Sequence, residues 1–290
     1  MQPQDRVRVA NTLGECVLWD GRALWWTDID SRVLYHLEWS SGRLRQIPTP
    51  ARLASFGLIA GQREFVAAFD DGFALFDPET GLRGPLLVPE GLSPGLRMND
   101  GRVDRQGRFW SGSMVMDPNG KSVAMLYSMG EAGLRRHADG IAISNGLAFS
   151  PEGDRMYFAD SRRGMIWQYA VDAESGTLGK RSFFAEAQHG GEPDGACVDE
   201  DGCLWIAVWG ASAVIRYTPE GRVDRVLEVP VRQPTCVTFG GPDLDLLFVT
   251  SASLGLGPCE TGAGDVLVYN VGVKGLAESR CNAEAWPNFA

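Results

Sequence analysis

Short apolar strands led by an aromatic recur six times along the chain, and their spacing constrains the fold more than any other feature. They are Leu24-Trp25-Trp26-Thr27, Phe65-Val66-Ala67-Ala68, Phe109-Trp110-Ser111-Gly112, Met156-Tyr157-Phe158-Ala159, Leu204-Trp205-Ile206-Ala207 and Leu247-Phe248-Val249-Thr250. Taking Trp25, Phe65, Trp110, Tyr157, Trp205 and Phe248 as anchors, the intervals are 40, 45, 47, 48 and 43 residues. A repeat of roughly 40–50 residues with several strands per unit marks a propeller. A small apolar strand and a turn precede each anchor, as at Pro151-Glu152-Gly153-Asp154. A further strand ending in an aromatic follows it, at Tyr35, Phe76, Tyr127, Tyr169, Tyr217 and Tyr269. No segment sustains a helical period. The pattern predicts an all-β, six-bladed β-propeller, with four-stranded antiparallel blades around a central axis and residues 1–290 forming one domain. Residues 7–9, alternating with arginines, read as a strand that pairs with the last blade and removes the open sheet edges.

Composition agrees and excludes some functions. The 36 glycines and 16 prolines suit a fold with many tight turns, and a hydrophobic content of 44% supports a large core. A net charge of −10 argues against nucleic acid, whose phosphates need a basic face. No apolar run is long enough to span a bilayer. The first residues lack the apolar centre of an export signal, so the expected location is the cytoplasm. Six cysteines at 16, 197, 203, 236, 259 and 281 include no C-x-x-C pair. They are expected to be reduced thiols, and a Cys259–Cys281 disulfide is not expected. Nothing implies an obligate protein partner.

In a propeller, equivalent positions of successive blades form a ring around the axis. The residues just before the innermost strands are Glu15-Cys16, Phe56-Gly57, Asp100-Gly101, Asn145-Gly146, Asp194-Gly195 and Thr235-Cys236. Four carry a carboxylate or carboxamide, each 10 to 12 residues before its anchor. A single Asx-Gly pair is most simply a turn. A ring of Glu15, Asp100, Asn145 and Asp194 is costly unless a cation sits among them. Oxygen donors suit one divalent ion, Ca²⁺, Mg²⁺ or Mn²⁺ by hardness, with Zn²⁺ and Fe²⁺ also within reach of such a set. Residues following the anchor strands reach the same end of the axis. They bring Asp28, Met114 to Asp117, Asp160, Trp209 and Ser251 to the mouth, beside Arg97 and Asn99. Trp209 is read as an aromatic wall of the pocket.

At these residues the chain resembles the SMP-30/gluconolactonase family, which includes regucalcin and bacterial aldonolactonases. Leu13-Gly14-Glu15 with Trp19 is similar to the family's N-terminal glutamate motif, and Arg97-Met98-Asn99-Asp100-Gly101 to its R-x-N-D-G motif. Ser111-Gly112-Ser113-Met114, Ile143-Ser144-Asn145-Gly146, Pro193-Asp194-Gly195 and Phe239-Gly240-Gly241-Pro242 match in the same order. The resemblance implies that Glu15, Asn145 and Asp194 bind the metal, that Arg97 and Asn99 contact substrate, and that Asp100 lies close by. Two departures stand out. The usual L-G-E-G-P reads Leu13-Gly14-Glu15-Cys16-Val17 here, and the acidic substrate contact after the G-T-M segment falls on Asp117.

The implied activity is metal-dependent hydrolysis of a sugar-acid lactone, a small-molecule substrate. Asp194 is the expected general base or water-orienting group, and Arg97, Asn99, Asp117 and Trp209 the substrate contacts. The main alternative is a calcium-binding regulatory propeller without turnover. An organophosphate or aryl-ester hydrolase would want a more apolar pocket, and an interaction propeller leaves the acidic ring unexplained. Gly91-Leu92-Ser93-Pro94-Gly95 matches G-x-S-x-G but reads as a loop, not a nucleophile elbow. His36, His137 and His189 fall at non-equivalent positions and support no histidine dyad. Which lactone and which metal are used stays open at this level.

Overall fold

A computed structural model of the chain describes residues 1–187, 189–257 and 260–282. Its strands form six separate four-stranded antiparallel sheets. Five of the six are consecutive in sequence. Their inner strands are Gly14–Trp19, Leu53–Leu58, Leu96–Val103, Ser144–Phe149 and Glu192–Val198. The sixth blade combines Pro234–Gly240, Leu246–Ser251 and Val266–Asn270 with Asp5–Val7 from the other end of the chain. Each inner strand packs against those of both neighbouring blades, including the first against the sixth, so the ring closes. The only helical segment among the described residues is a 3-10 turn at Ser161–Arg163. No helix among them is long and apolar enough to cross a membrane.

The chain folds this way because the inner and anchor strands bury both faces. Trp25 packs toward the second blade, where its ring meets Phe65 edge-on at 5.0 Å. Its neighbour Trp26 packs toward the sixth blade. The apolar core accordingly divides into six clusters, one for each junction between adjacent blades. Strands covered on both sides read as continuous apolar runs, which is why the anchors stand out in the sequence without a polar-apolar alternation.

The closing strand is displaced by two residues from the expected position. Asp5–Val7 pairs antiparallel with Val266–Asn270, with Arg6 opposite Leu267. Arg6 lies beside Asp265 at 3.6 Å, and the Asp265 carboxylate accepts from the Val9 backbone, which helps set this register. A second feature has no counterpart in the repeat. The segment after the last strand crosses the end of the propeller where the inner strands finish. Cys281 bridges to Ile59, Gly275 bridges to Asp199, and the Arg105 guanidinium donates to Ala277 O. Arg102 and Glu278, both buried, meet at 2.8 Å on this side. This packing leaves a cavity of about 20 Å³ at the crossed end. Cys16, Cys197, Cys203 and Cys236 are buried thiols. Cys281 is also buried, and Cys259 lies outside the described residues.

Candidate active site

Every inner strand carries an irregularity in its pairing near its start. The register shifts between Glu15 and Leu18, Leu53 and Ser55, Met98 and Gly101, Asn145 and Ala148, Pro193 and Ala196, and Pro234 and Val237. A bulge releases residues from the ladder and re-aims their side chains. Glu15, Asn99, Asp100, Asn145 and Asp194 all sit at or within these breaks. The breaks therefore turn ordinary strand starts into a ring of polar side chains at one end of the axis.

The loops entering the first and fourth inner strands are held from behind. The Asp28 carboxylate accepts from Thr12 N and Leu13 N at 2.8 and 3.0 Å, immediately before Glu15. Asp160 accepts from Ala142 N and Ile143 N, both at 3.1 Å, immediately before Asn145. Both aspartates are thus engaged with backbone. Ser251, also placed near the mouth from sequence, is buried and donates to Asp265 O.

A cavity of about 170 Å³ opens at this end. Its polar lining consists of Glu15, Arg97, Asn99, Asn145, Ser161, Glu192 and Asp194; Leu13, Met114, Ile143, Pro193, Trp209 and Leu254 form the apolar part. Seven of the sequence-derived residues therefore converge: Glu15, Arg97, Asn99, Met114, Asn145, Asp194 and Trp209. Asp100 lies outside the lining, buried deeper in the ring, where its carboxylate accepts from Leu147 N at 2.9 Å. Asp117 is not brought in. It is exposed, and its carboxylate accepts from Asn119 N within its own turn at 2.9 Å. The local turn competes for that oxygen, and Arg162 binds the loop through the Asp117 carbonyl instead.

A chain of hydrogen bonds joins three blades across the floor. Arg97 donates to Asn99 Oδ1 at 2.7 Å, and Asn99 Nδ2 donates to Asn145 Oδ1 at 3.0 Å. Asn145 Nδ2 donates to Ser161 Oγ at 2.8 Å, and Ser161 Oγ donates to Pro193 O at 2.7 Å. On the other side, the carboxyl groups of Glu15 and Asp194 line the same cavity, and each affects the other's ionisation. Burial, then the charge of Asp100, pushes Glu15 up to about 8. Burial, then the charges of Glu15 and Asp100, holds Asp194 well above the usual carboxylate range. Two carboxyls so placed must share a proton or enclose a positive charge. With the Asn145 oxygen, they make an all-oxygen donor set that fits a hard divalent ion.

Ser161, Glu192 and Leu254 carry no expectation from the sequence, and Leu13 and Ile143 enter there only as motif neighbours of Glu15 and Asn145. Glu192 had a local signal, since it lies two residues before Asp194 in a strand and pairs opposite Trp209. Ser161 directly follows Asp160 at the end of an anchor strand, a position already assigned to the mouth. The G-x-S-x-G segment is a loop. His36 is half-buried rather than exposed, with its ring 4.1 Å from that of Trp25. His137 contacts Ser128 at 2.7 Å, and His189 occupies an exposed turn, so none of the three lines the cavity.

The family model for the SMP-30/gluconolactonase/LRE-like region matches residues 13–253, which span the whole ring of bulges. The chain belongs to this family. Within the SMP-30/gluconolactonase group it is 35% identical to a 6-deoxy-6-sulfogluconolactonase from Pseudomonas putida, covering 94% of this chain and 96% of that one. It is 35% identical to an L-arabinolactonase from Azospirillum brasilense, covering 93% and 92%. Among solved structures, the calcium-binding protein regucalcin from Agrobacterium tumefaciens superposes with a TM-score of 0.90 at 31% identity, covering 97% and 98%.

Proposed function

We propose that this chain hydrolyses a sugar-acid lactone in the cavity around Glu15, Asn145 and Asp194, with one divalent cation as cofactor. The observation that carries the reading is the convergence in one cavity lining of the Glu15 and Asp194 carboxyl groups, both held above their ordinary range, with the Asn145 amide. The naming of relatives at 35% identity as sugar lactonases supports the reaction class.

When bound, a divalent cation supplies Lewis acidity to the lactone carbonyl and positive charge near the oxygen that becomes negative. The side chains do the rest. Glu15, Asn145 and Asp194 hold the ion. Asp194 also takes a proton from the water that adds to the carbonyl carbon. The ring C–O bond then breaks, and the released alkoxide oxygen takes the proton that Asp194 holds, giving the open-chain hydroxy acid. Arg97 uses one nitrogen on Met98 O and Asn99 Oδ1. Its guanidinium has other N–H groups to offer a sugar hydroxyl. Asn99 is substrate-contacting through its place in the lining. Trp209, with Met114 and Ile143, offers an apolar wall for the C–H face of a sugar ring and limits water around the reacting carbonyl. Asp117 is left out of the proposed contacts because its carboxylate is committed to its own turn.

Likeness to a calcium-binding regucalcin favours one second reading, cation binding without turnover. A single experiment separates the two. Metal-stripped protein is assayed against pentono- and hexonolactones with Ca²⁺, Mg²⁺, Mn²⁺, Zn²⁺ or Fe²⁺ restored in turn. Metal-dependent hydrolysis is expected, and Glu15→Ala and Asp194→Ala should each abolish it while keeping the wild-type circular dichroism. Tight binding of a cation with no acceleration for any lactone would favour the second reading.

A further inference from the structure

The hydrogen-bond chain across the floor has a direction that its two ends impose. Arg97 can only donate, so Asn99 must turn its oxygen toward it. The Asn99 amide nitrogen then faces Asn145, which must answer with its own oxygen. That leaves the Asn145 nitrogen to donate to Ser161, whose oxygen accepts and whose single proton goes to Pro193 O. A carbonyl can only accept, so the chain ends there. Ser161 is buried, with 3% of its surface exposed, and among the described residues its hydroxyl bonds only to Asn145 and Pro193.

Ser161 therefore touches one proposed cation-binding residue, Asn145, and the residue directly before another, Asp194. It grips the Asn145 amide of the fourth blade, and it grips the carbonyl directly preceding Asp194 in the fifth. From this geometry we infer that Ser161 is a positioning residue: its hydroxyl keeps the Asn145 oxygen turned toward the axis and sets the separation between Asn145 and Asp194. The inference rests on the cation site proposed above. An oxygen has two lone pairs, so Asn145 Oδ1 can accept from Asn99 and still face a cation. Without Ser161, the amide is held from the Asn99 side alone, and the tie between the two blades is lost. Groups that orient a metal's ligands typically change its affinity by about 10–100-fold when removed.

The test measures cation binding without substrate. Metal-stripped full-length protein is titrated with Ca²⁺ and separately with Mn²⁺ by calorimetry. Ser161→Ala should weaken binding about ten-fold or more, and Ser161→Thr, which keeps the hydroxyl, should stay near wild type. Ser161→Cys fills the same space with a weak bonding group and should behave as Ser161→Ala does, so it carries the test if the alanine variant fails to fold. The deciding measurement uses Asn145→Asp, which has no amide to orient. In that background, losing Ser161 should cost much less than in the wild type. An equal loss in both backgrounds would mean that Ser161 is merely structural, and affinity within two-fold of wild type in the folded single variants would overturn the inference outright. No cation binding by the wild type would instead sink the site itself.

Discussion

Cys16 shows how one residue can preserve a site while departing from its usual sequence. It follows Glu15 and adopts a left-handed backbone, with φ of 46°, where the fourth blade has Gly146 at 64°. A side chain in that region costs about 1–2 kcal/mol. The thiol offsets part of this. Its sulfur accepts from Phe56 N at 3.3 Å and donates to Phe56 O at 3.6 Å, tying the first inner strand to the second. The bulge survives, so Glu15 still enters the cavity. Two substitutions separate the effects. Cys16→Ala keeps the strain and loses the bonds, whereas Cys16→Gly loses the bonds and relieves the strain. The glycine variant should be more stable than the alanine variant by about 1 kcal/mol, net of glycine's greater freedom in the unfolded chain. Urea unfolding of both reads this difference; an alanine variant as stable as the glycine one would show that the backbone is not strained there.

At the scale of elements, the repeat hides a device that the anchor aromatics alone do not reveal. Three aspartates cap the turn between inner and anchor strands and also accept from the anchor indole. Trp25 Nε1 donates to Asp20 at 2.8 Å, Trp110 Nε1 to Asp104 at 2.8 Å, and Trp205 Nε1 to Asp199 at 2.7 Å. Each carboxylate takes backbone N–H groups as well, as Asp199 does from Asp201 and Cys203, both at 3.0 Å. The tryptophan is thereby locked in depth and rotation, which plain packing would not do. Asp199 is fully buried and also meets Arg216 at 2.8 Å. Asp199→Ala should destabilise the protein by about 1–3 kcal/mol, because it leaves the buried indole and the turn N–H groups unsatisfied, while Arg216 keeps Asp201 and Asp224 as partners. Chemical denaturation monitored by tryptophan fluorescence measures the loss. A cost under about 1 kcal/mol would mean that water replaces the carboxylate at no penalty.

The whole molecule is closed twice, once by each end of the chain. Asp5–Val7 completes the sixth blade and covers the Val266–Asn270 edge. Because the strand comes from the opposite terminus, unfolding any blade must open the ring or release this strand, which makes the blades cooperate. Deleting residues 1–9 should lower the melting temperature and broaden the transition. Calorimetry checks this, and an unchanged, sharp transition would show that the first strand does not clasp the ring. The segment through Glu278 and Cys281 crosses the far end, where Arg102, Cys197 and Glu278 line a cavity of about 20 Å³. The candidate site lies at the opposite end, the one bearing the bulged starts of the inner strands.

Much of this was legible in the sequence, for a definite reason. A propeller repeats one supersecondary unit, so six apolar strands buried on both faces report the period, and positional equivalence reports the ring. Glu15, Asn145 and Asp194 could be aligned because each starts an inner strand, and the cavity brings them together. The closing strand was legible as a strand but not in its register, which depends on contacts between Arg6, Asp265 and Val9 some 256 residues apart. The family resemblance implies a substrate contact at Asp117, yet a carboxylate oxygen of that residue accepts within its own local turn. Ser161 carried no distinctive motif, because its importance lies in bonding across two blades. The sequence by itself determined what repeats: blade number, strand order, and which residue types begin each inner strand. Only the tertiary structure decided what meets across the repeats, namely the shared hydroxyl, the carboxyls gathered in one cavity and the crossed far end. Periodicity is a local property of the chain, whereas hydrogen bonding and shared burial between blades depend on distances that arise only when the ring is closed.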